Sequence, residues 1–310
     1  MHSVQVKLDD YFKINLISCR FLIMKSIKIT YLPGLVLAML TIVSCKDKPN
    51  TDVRLEASAR TDVAYGSYGM QKLDYYLPAG RSAQSTKVMI LIHGGAWAGG
   101  DKTDFTAYMD TLKRRFPDYA LFNINYRLAS PSANIFPAQE NDVKTAMDFI
   151  YSKRSEYSVS DKFVLLGASA GGHLALLQGY KYTSPVKVKA IVNFFGPSNM
   201  ADMYSNPPSG VNPTLIAMLL GGTPSSNSNA YVESSPLNFV TAQSPPTLTL
   251  QGGLDPLVRP SQQTALHAKL QSNGVANEYE LYHNEGHGWL GLNLSNSFDR
   301  IAAFLSSNVK

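Results

Sequence analysis

Phe163-Val164-Leu165-Leu166-Gly167-Ala168-Ser169-Ala170-Gly171-Gly172-His173-Leu174 is the stretch that decides the fold. Its first four residues form a continuous apolar run, as expected of a strand buried on both faces. From about Ala170 to Tyr182 the sequence reads as a helix. Between the two stands Ser169, flanked by small residues. A strand that turns abruptly into a helix needs such neighbours, and it presents the serine hydroxyl at the helix N-terminus. There the backbone N–H dipoles favour developing negative charge. A turn that only packs a helix on a strand would read the same way, so the serine needs partners before it carries chemistry.

On both sides of this stretch, strand and helix patterns alternate. Lys72 to Leu77 alternates and closes at Pro78, while Val88–Ile92, Ala120–Ile124 and Val188–Phe194 are further apolar runs. Helices are predicted over 103–115, capped by Asp101 or Thr103, and over 138–150, where Val143, Ala146, Met147 and Ile150 share a face. Thr247–Leu250 and Glu278–Tyr282 add two strands around a helix over 262–271, and Leu294, Phe298, Ile301 and Leu305 make the stripe of a closing helix. Strands joined by helices in this order predict an α/β fold, a mostly parallel sheet with helices on both faces. Residues 196–245, rich in Pro, Ser, Asn and Gly, break the rhythm and read as a lid-like insertion.

The chain has 310 residues, 45% of them hydrophobic and 16% charged, which excludes a disordered polar chain. The net charge of +5 is partly local. Residues 1–44 hold Lys7, Lys13, Arg20, Lys25 and Lys28 against Asp9 and Asp10, and the remainder is near neutral. Nothing there calls for a nucleic-acid partner.

From Met24 onward, Lys25 and Lys28 precede an apolar stretch centred on Leu35–Val43. That stretch is too short to cross a bilayer core of about 30 Å as a helix. It suits the apolar region of a signal peptide. Ile42-Val43-Ser44-Cys45 resembles a bacterial lipobox, in which the cysteine is lipidated and becomes the first mature residue. Residues 1–44 therefore read as a leader, with 1–23 a gene-model extension. Residues 45–64 read as a polar tether and 65–310 as the folded domain. The expected product is an exported bacterial lipoprotein, periplasmic or outer-membrane associated, held to a membrane by lipid on Cys45. The alternative is an anchor helix that is never cleaved. Cys19 and Cys45 are the two cysteines, so the domain is predicted to hold no disulfide and no cysteine-based zinc site.

A serine is a weak nucleophile without a base. Of six histidines, His287 lies in Asn284-Glu285-Gly286-His287-Gly288-Trp289, directly after the last strand. That loop belongs at the C-terminal edge of the sheet, where open α/β sheets place their ligands. His283 is the alternative. His173, one turn past the serine, is expected to pack or to hydrogen-bond a neighbouring loop. The base needs an orienting carboxylate. Asp255 follows the strand 247–250 on the same edge. Glu285 is the rival acid, but it lies too near His287 along the chain to reach the far ring nitrogen. His93-Gly94-Gly95-Ala96-Trp97 follows the strand 88–92. Its glycines free backbone N–H groups to face a cavity. Gly95 and Ala96, with Ala170 after the serine, are the expected oxyanion donors. Gly94 and Trp97 are expected to meet substrate, and Trp97, Phe195 and the insertion are candidate walls of a modest acyl pocket, with the core as the equal alternative for Trp97 and Phe195. This chemistry requires no metal and no cofactor.

HGGAW (93–97), NYRL (125–128), FPAQENDV (136–143), GASAGGHLA (167–175), GLDPLV (253–258) and EGHGW (285–289) resemble, in this order, serine esterases of the α/β-hydrolase superfamily. The resemblance covers roughly residues 65–308. It is closest to the bacterial lipase/esterase group with feruloyl-esterase-like and arylformamidase-like members, bordering the hormone-sensitive-lipase group. Ala96 stands where that last group has a third glycine. The resemblance implies an α/β-hydrolase fold, a triad of Ser169, Asp255 and His287, and structural roles for Arg127 and Asp142. It implies a serine hydrolase that cleaves carboxylic esters of small or carbohydrate-linked acyl groups through an acyl-enzyme. One alternative is an arylformamidase- or prolyl-peptidase-like amide hydrolase using the same triad. Another is a non-catalytic binding protein of the same fold, which would have lost a triad residue or the elbow.

Overall fold

The computed structural model describes residues 54–310. The leader 1–44 and Cys45 lie outside the described residues. Eight strands form one sheet in the order β1-β2-β4-β3-β5-β6-β7-β8. They are β1 (Ser58–Ala64), β2 (Lys72–Leu77), β3 (Lys87–Ile92), β4 (Tyr119–Ile124), β5 (Phe163–Ala168), β6 (Val188–Phe194), β7 (Thr247–Gly252) and β8 (Asn277–Tyr282). β1 and β2 pair antiparallel, as do β2 and β4, and the other pairs are parallel.

β1 corrects the reading of 45–64 as a tether throughout. Ser58–Ala64 carries Arg60 and Asp62, and most of its side chains are exposed. It is an edge strand, and charge on an edge discourages pairing with other chains. With so few buried positions it shows no apolar alternation for sequence reading to detect. Lys102 helps to fix it, with Nζ 3.1 Å from Asp62 and 3.1 Å from Asp74 of β2.

A 3₁₀ helix, Lys102–Tyr108, runs into α1 (Met109–Arg115). Asp101 is its cap, accepting from the Thr103 N–H at 2.8 Å. Next come α2 (Ala138–Ser152), α3 (Arg154–Tyr157) and α4 (Ala170–Lys181). The insertion folds as α5 (Met200–Ser205), α6 (Pro213–Leu220), α7 (Ser228–Glu233) and a 3₁₀ turn over Pro236–Phe239. α8 (Pro260–Ser272) and α9 (Gly291–Asn308) complete the chain.

Side chains alternate across a strand, so each buried strand feeds two cores. Ile90 and Ile92 of β3 join a cluster with Val143 of α2, Leu174 of α4 and Leu266 of α8. Met89 and Leu91 join another, with Leu112 of α1 and Phe298, Ile301 and Phe304 of α9. The insertion docks Ile216, Leu219, Leu220 and Tyr231 into the first cluster. Its apolar residues therefore lie on the α4 face of the sheet, opposite α1 and α9.

Candidate active site

Ser169 occupies the junction of β5 and α4 with φ 54° and ψ −120°. This is left-handed backbone that costs a non-glycine residue of order 1–3 kcal/mol. The junction is held from both sides. The Ser169 N–H donates to the Phe194 carbonyl at 2.8 Å, and its own carbonyl accepts from the His173 N–H at 3.0 Å. A Cβ on Gly171 would collide with the Ile92 carbonyl, so this glycine lets α4 lie directly on β3.

Ser169, His287 and Asp255 come together at the C-terminal edge. His287 Nε2 stands 2.9 Å from Ser169 Oγ, and Nδ1 stands 2.8 Å from Asp255 Oδ2. Asp255 Oδ1 accepts from the N–H groups of Leu257 and Val258, at 2.8 and 2.9 Å. Gln251 Nε2 donates to Oδ2 at 3.0 Å. Burial alone would raise the Asp255 pKa. The hydrogen bond and charge of His287, with the two backbone N–H groups, outweigh burial and hold the carboxyl below its ordinary value. An ionised carboxylate can only accept, so Nδ1 of His287 keeps the proton and Nε2 is left to accept from the serine hydroxyl.

The rival residues lie elsewhere. His283 is exposed. Glu285 accepts from Asn293 Nδ2 at 2.6 Å, and it is Asp255 that meets His287 Nδ1.

Beside the serine runs the loop after β3. Gly95, Ala96 and Trp97 take φ of 99°, 50° and 61° in succession. Successive N–H groups in such backbone form a concave cradle for an anion. Neither Gly95 nor Ala96 donates its N–H to an acceptor among the described residues. The Ala170 N–H opens α4, where no intrahelical acceptor exists. A Cβ on Gly94 would lie 3.1 Å from the Ala168 oxygen and 3.3 Å from Ser169 Cβ, so the loop abuts the elbow.

Tyr126 steadies this loop, a role that sequence reasoning missed although Tyr126 lies in the NYRL segment. Its hydroxyl donates to the carbonyls of His93 and Gly94 at 3.0 and 3.1 Å. Its ring stacks on the buried His93 at 4.3 Å and 8°. Burial lowers the His93 pKa despite its contact with the Gly94 carbonyl. Asp142 is buried and takes Arg127 Nη2 at 2.7 Å and Gln71 Nε2 at 2.7 Å, below the loops.

Trp97 requires a correction. It is expected against substrate, yet it is 4% exposed and packs in the α4-side core. Its indole N–H donates to His173 Nδ1 at 3.1 Å, and His173 Nε2–H donates to the Ser234 carbonyl at 2.7 Å. Accepting at Nδ1 requires neutral imidazole, and burial pushes the His173 pKa down to about 4. Trp97 is thus one end of a strut that ends in the insertion.

A cavity of about 360 Å³ lies on the other face, among Phe105, Tyr108, Leu112, Phe194, Trp289 and Phe298. It reaches Ala168, Phe195 and Gly288, next to the serine and the histidine. Neither Trp97 nor the insertion lines it, whereas Phe195 does. Among the described residues no group of three or more His, Cys, Asp or Glu side chains is arranged to hold a metal ion.

Comparison with known proteins places this geometry in a lineage. The chain is 30% identical over 217 residues to the probable carboxylic ester hydrolase LipM of Mycobacterium tuberculosis. The match covers 65% of this chain and 49% of LipM. Esterase LipC of the same organism is 24% identical over 225 residues, covering 69% of this chain and 55% of LipC. The chain thus spans about half the length of these two relatives. Among solved structures, a truncated carbohydrate esterase from gut microbiota superposes with a TM-score of 0.69 at 25% identity. That match covers 81% of this chain and 95% of the other. A bifunctional GH43-CE protein of Bacteroides eggerthii gives 0.69 at 27% identity, over 80% of this chain and 38% of its own. The BD-FAE family model matches residues 73–270. That span runs from β2 through most of α8, includes Ser169 and Asp255, and stops short of His287. With well over half of its length matched, the chain belongs to the BD-FAE family.

Proposed function

We propose that this chain is a serine hydrolase that cleaves carboxylic esters through an acyl-enzyme. The observation that carries the reading is the hydrogen-bonded line Ser169–His287–Asp255, with contacts of 2.9 and 2.8 Å. Ser169 Oγ attacks the acyl carbon as its proton passes to His287 Nε2. Asp255 keeps the imidazole in the accepting tautomer and stabilises the imidazolium that forms. The N–H groups of Gly95, Ala96 and Ala170 receive the oxyanion, each donor worth roughly 3 kcal/mol in the transition state. His287 returns the proton to the leaving alcohol. Water then enters by the reverse path and frees the acid and Ser169. Gly94, pressed against the elbow, lies under the substrate.

Small or carbohydrate-linked esters are the proposed substrates, a reading supported by the likeness to the gut carbohydrate esterase. Lipid on Cys45 is proposed to hold the protein in the cell envelope, on the strength of the lipobox-like segment 42–45. Incorporation of a clickable palmitate analogue, lost in Cys45→Ser, tests the anchor.

The function is tested with a fluorophosphonate probe and p-nitrophenyl acetate on the protein and its Ser169→Ala variant. Labelling and turnover in the parent, both absent in the variant, are expected. A folded parent that neither labels nor turns over any ester overturns the hydrolase reading. Labelling with turnover of amides alone moves the assignment to an amide hydrolase.

A further inference from the structure

The 360 Å³ cavity lies beside the triad, lined by neighbours of Ser169 and His287 rather than by those residues themselves, and runs away from it on one face of the sheet. Ala168 precedes Ser169 and Gly288 follows His287, and both line it. The Phe195 ring, also in its wall, stands 4.4 Å from the His287 ring. From there the cavity extends between α1 and α9, bounded by Tyr108 and Leu112 on one side and Leu294 and Phe298 on the other. Leu290, 73% exposed, stands at its rim.

The chemistry of the wall is restrictive. Among the lining side chains only Tyr108 and Trp289 carry a polar atom, and none is charged. The Trp289 N–H is already committed, donating to Ser297 Oγ at 2.8 Å. That leaves the Tyr108 hydroxyl, so an occupant with several hydroxyls or a charge would leave most of its polar groups unpaired, which costs affinity. A sugar ring is disfavoured on this ground, and so is an acyl group bearing several hydroxyls. The volume argues against the smallest acyl group as well. An acetyl methyl would leave nearly all of it empty, whereas the space matches about ten groups of methylene size.

Resting on the ester-hydrolase reading, we infer that this cavity is the acyl site and that it selects an apolar acyl chain of about six to ten carbons. The chain enters past Ala168 and Gly288 while its carbonyl carbon stays at Ser169 Oγ. The alcohol portion, carbohydrate included, leaves toward solvent on the other side of the serine. Each methylene moved from water into such a wall gains about fourfold in binding until the cavity is full.

The test is a series of p-nitrophenyl esters from acetyl to dodecanoyl, each kept below its micelle-forming concentration, with fluorophosphonate labelling of the same preparation. The expected profile rises at least tenfold in kcat/KM from acetyl to octanoyl and falls again by dodecanoyl. Leu294→Trp, which fills the cavity from a half-buried position on α9, is expected to lower the octanoyl-to-acetyl ratio of kcat/KM at least tenfold. Tyr108→Trp makes the same comparison from the end of the 3₁₀ helix that runs into α1, and serves if Leu294→Trp does not fold. Fastest turnover of acetyl ester, with steady decline along the series, overturns the inference and leaves the hydrolase reading intact. An octanoyl-to-acetyl ratio unmoved in a folded variant overturns it too. A protein that neither labels nor turns over any ester overturns the hydrolase reading, and the acyl site falls with it.

Discussion

Trp97 and His173, 76 residues apart, are joined by a 3.1 Å hydrogen bond from indole N–H to imidazole Nδ1. The other imidazole nitrogen donates to the Ser234 carbonyl. One buried ring therefore connects the loop after β3, the helix that follows Ser169 and the insertion.

This strut has a pH signature. Unfolded His173 titrates near its ordinary 6.5, whereas the buried ring takes a proton only near about 4. Between these values the unfolded chain binds the proton and the folded one does not. Stability therefore falls as pH drops from 6.5 to 4, by up to about 3 kcal/mol from this group. Thermal melts of the protein and of His173→Gln across that window check it. The variant should start with a lower Tm and lose less of it on acidification. Parallel curves would exclude His173 as the source.

Ser169 separates activity from stability. Ser169→Ala should lower kcat by at least about 10⁴-fold, as loss of a triad nucleophile does. Ser169→Gly should be equally inactive yet more stable, by about 1 kcal/mol, because glycine adopts φ 54° without strain. A urea melt of both variants gives the answer, and a Gly variant weaker than the Ala variant would refute the strain argument.

Asp255→Asn retains the size of the side chain and removes its obligatory acceptor character. The amide can donate to Nδ1, which places the imidazole proton on Nε2, where it cannot take the serine proton. A fall of about 10⁴-fold in kcat is expected. Steady-state kinetics on a short-chain p-nitrophenyl ester measure it, and a loss below tenfold would remove Asp255 from the proposed mechanism.

Tyr126→Phe deletes the two hydrogen bonds to the carbonyls of His93 and Gly94 and leaves the ring stack in place. Loss of stability should be about 1–2 kcal/mol. Since the tyrosine acts through the oxyanion loop, kcat should fall about tenfold with KM little changed, because the loop donors act mainly in the transition state. A raised KM with unchanged kcat would instead mark a role in ground-state binding.

The elbow and its partners were legible because each is local. Small residues around Ser169, the glycines after β3 and the loops around Asp255 and His287 follow apolar runs that reveal themselves as strands. The strands over 72–77, 88–92 and 188–194 also lie where the runs predict, to within a residue. β1 was not legible, since an edge strand facing solvent has no apolar rhythm. Trp97 was misread because an aromatic residue in a loop suits a pocket and a core equally, and only His173, far along the chain, decides between them. The apolar cavity left no local mark either. Its walls come from residues near 105–112 and near 289–298, which the fold alone brings together.

The strut and the cavity lie on opposite faces of the sheet and share only the serine edge. α1 and α9 can therefore exchange side chains during divergence, or under laboratory selection, without moving the tryptophan that braces the anion cradle. Descendants of this scaffold would be expected to drift in what they accept far more readily than in how they react.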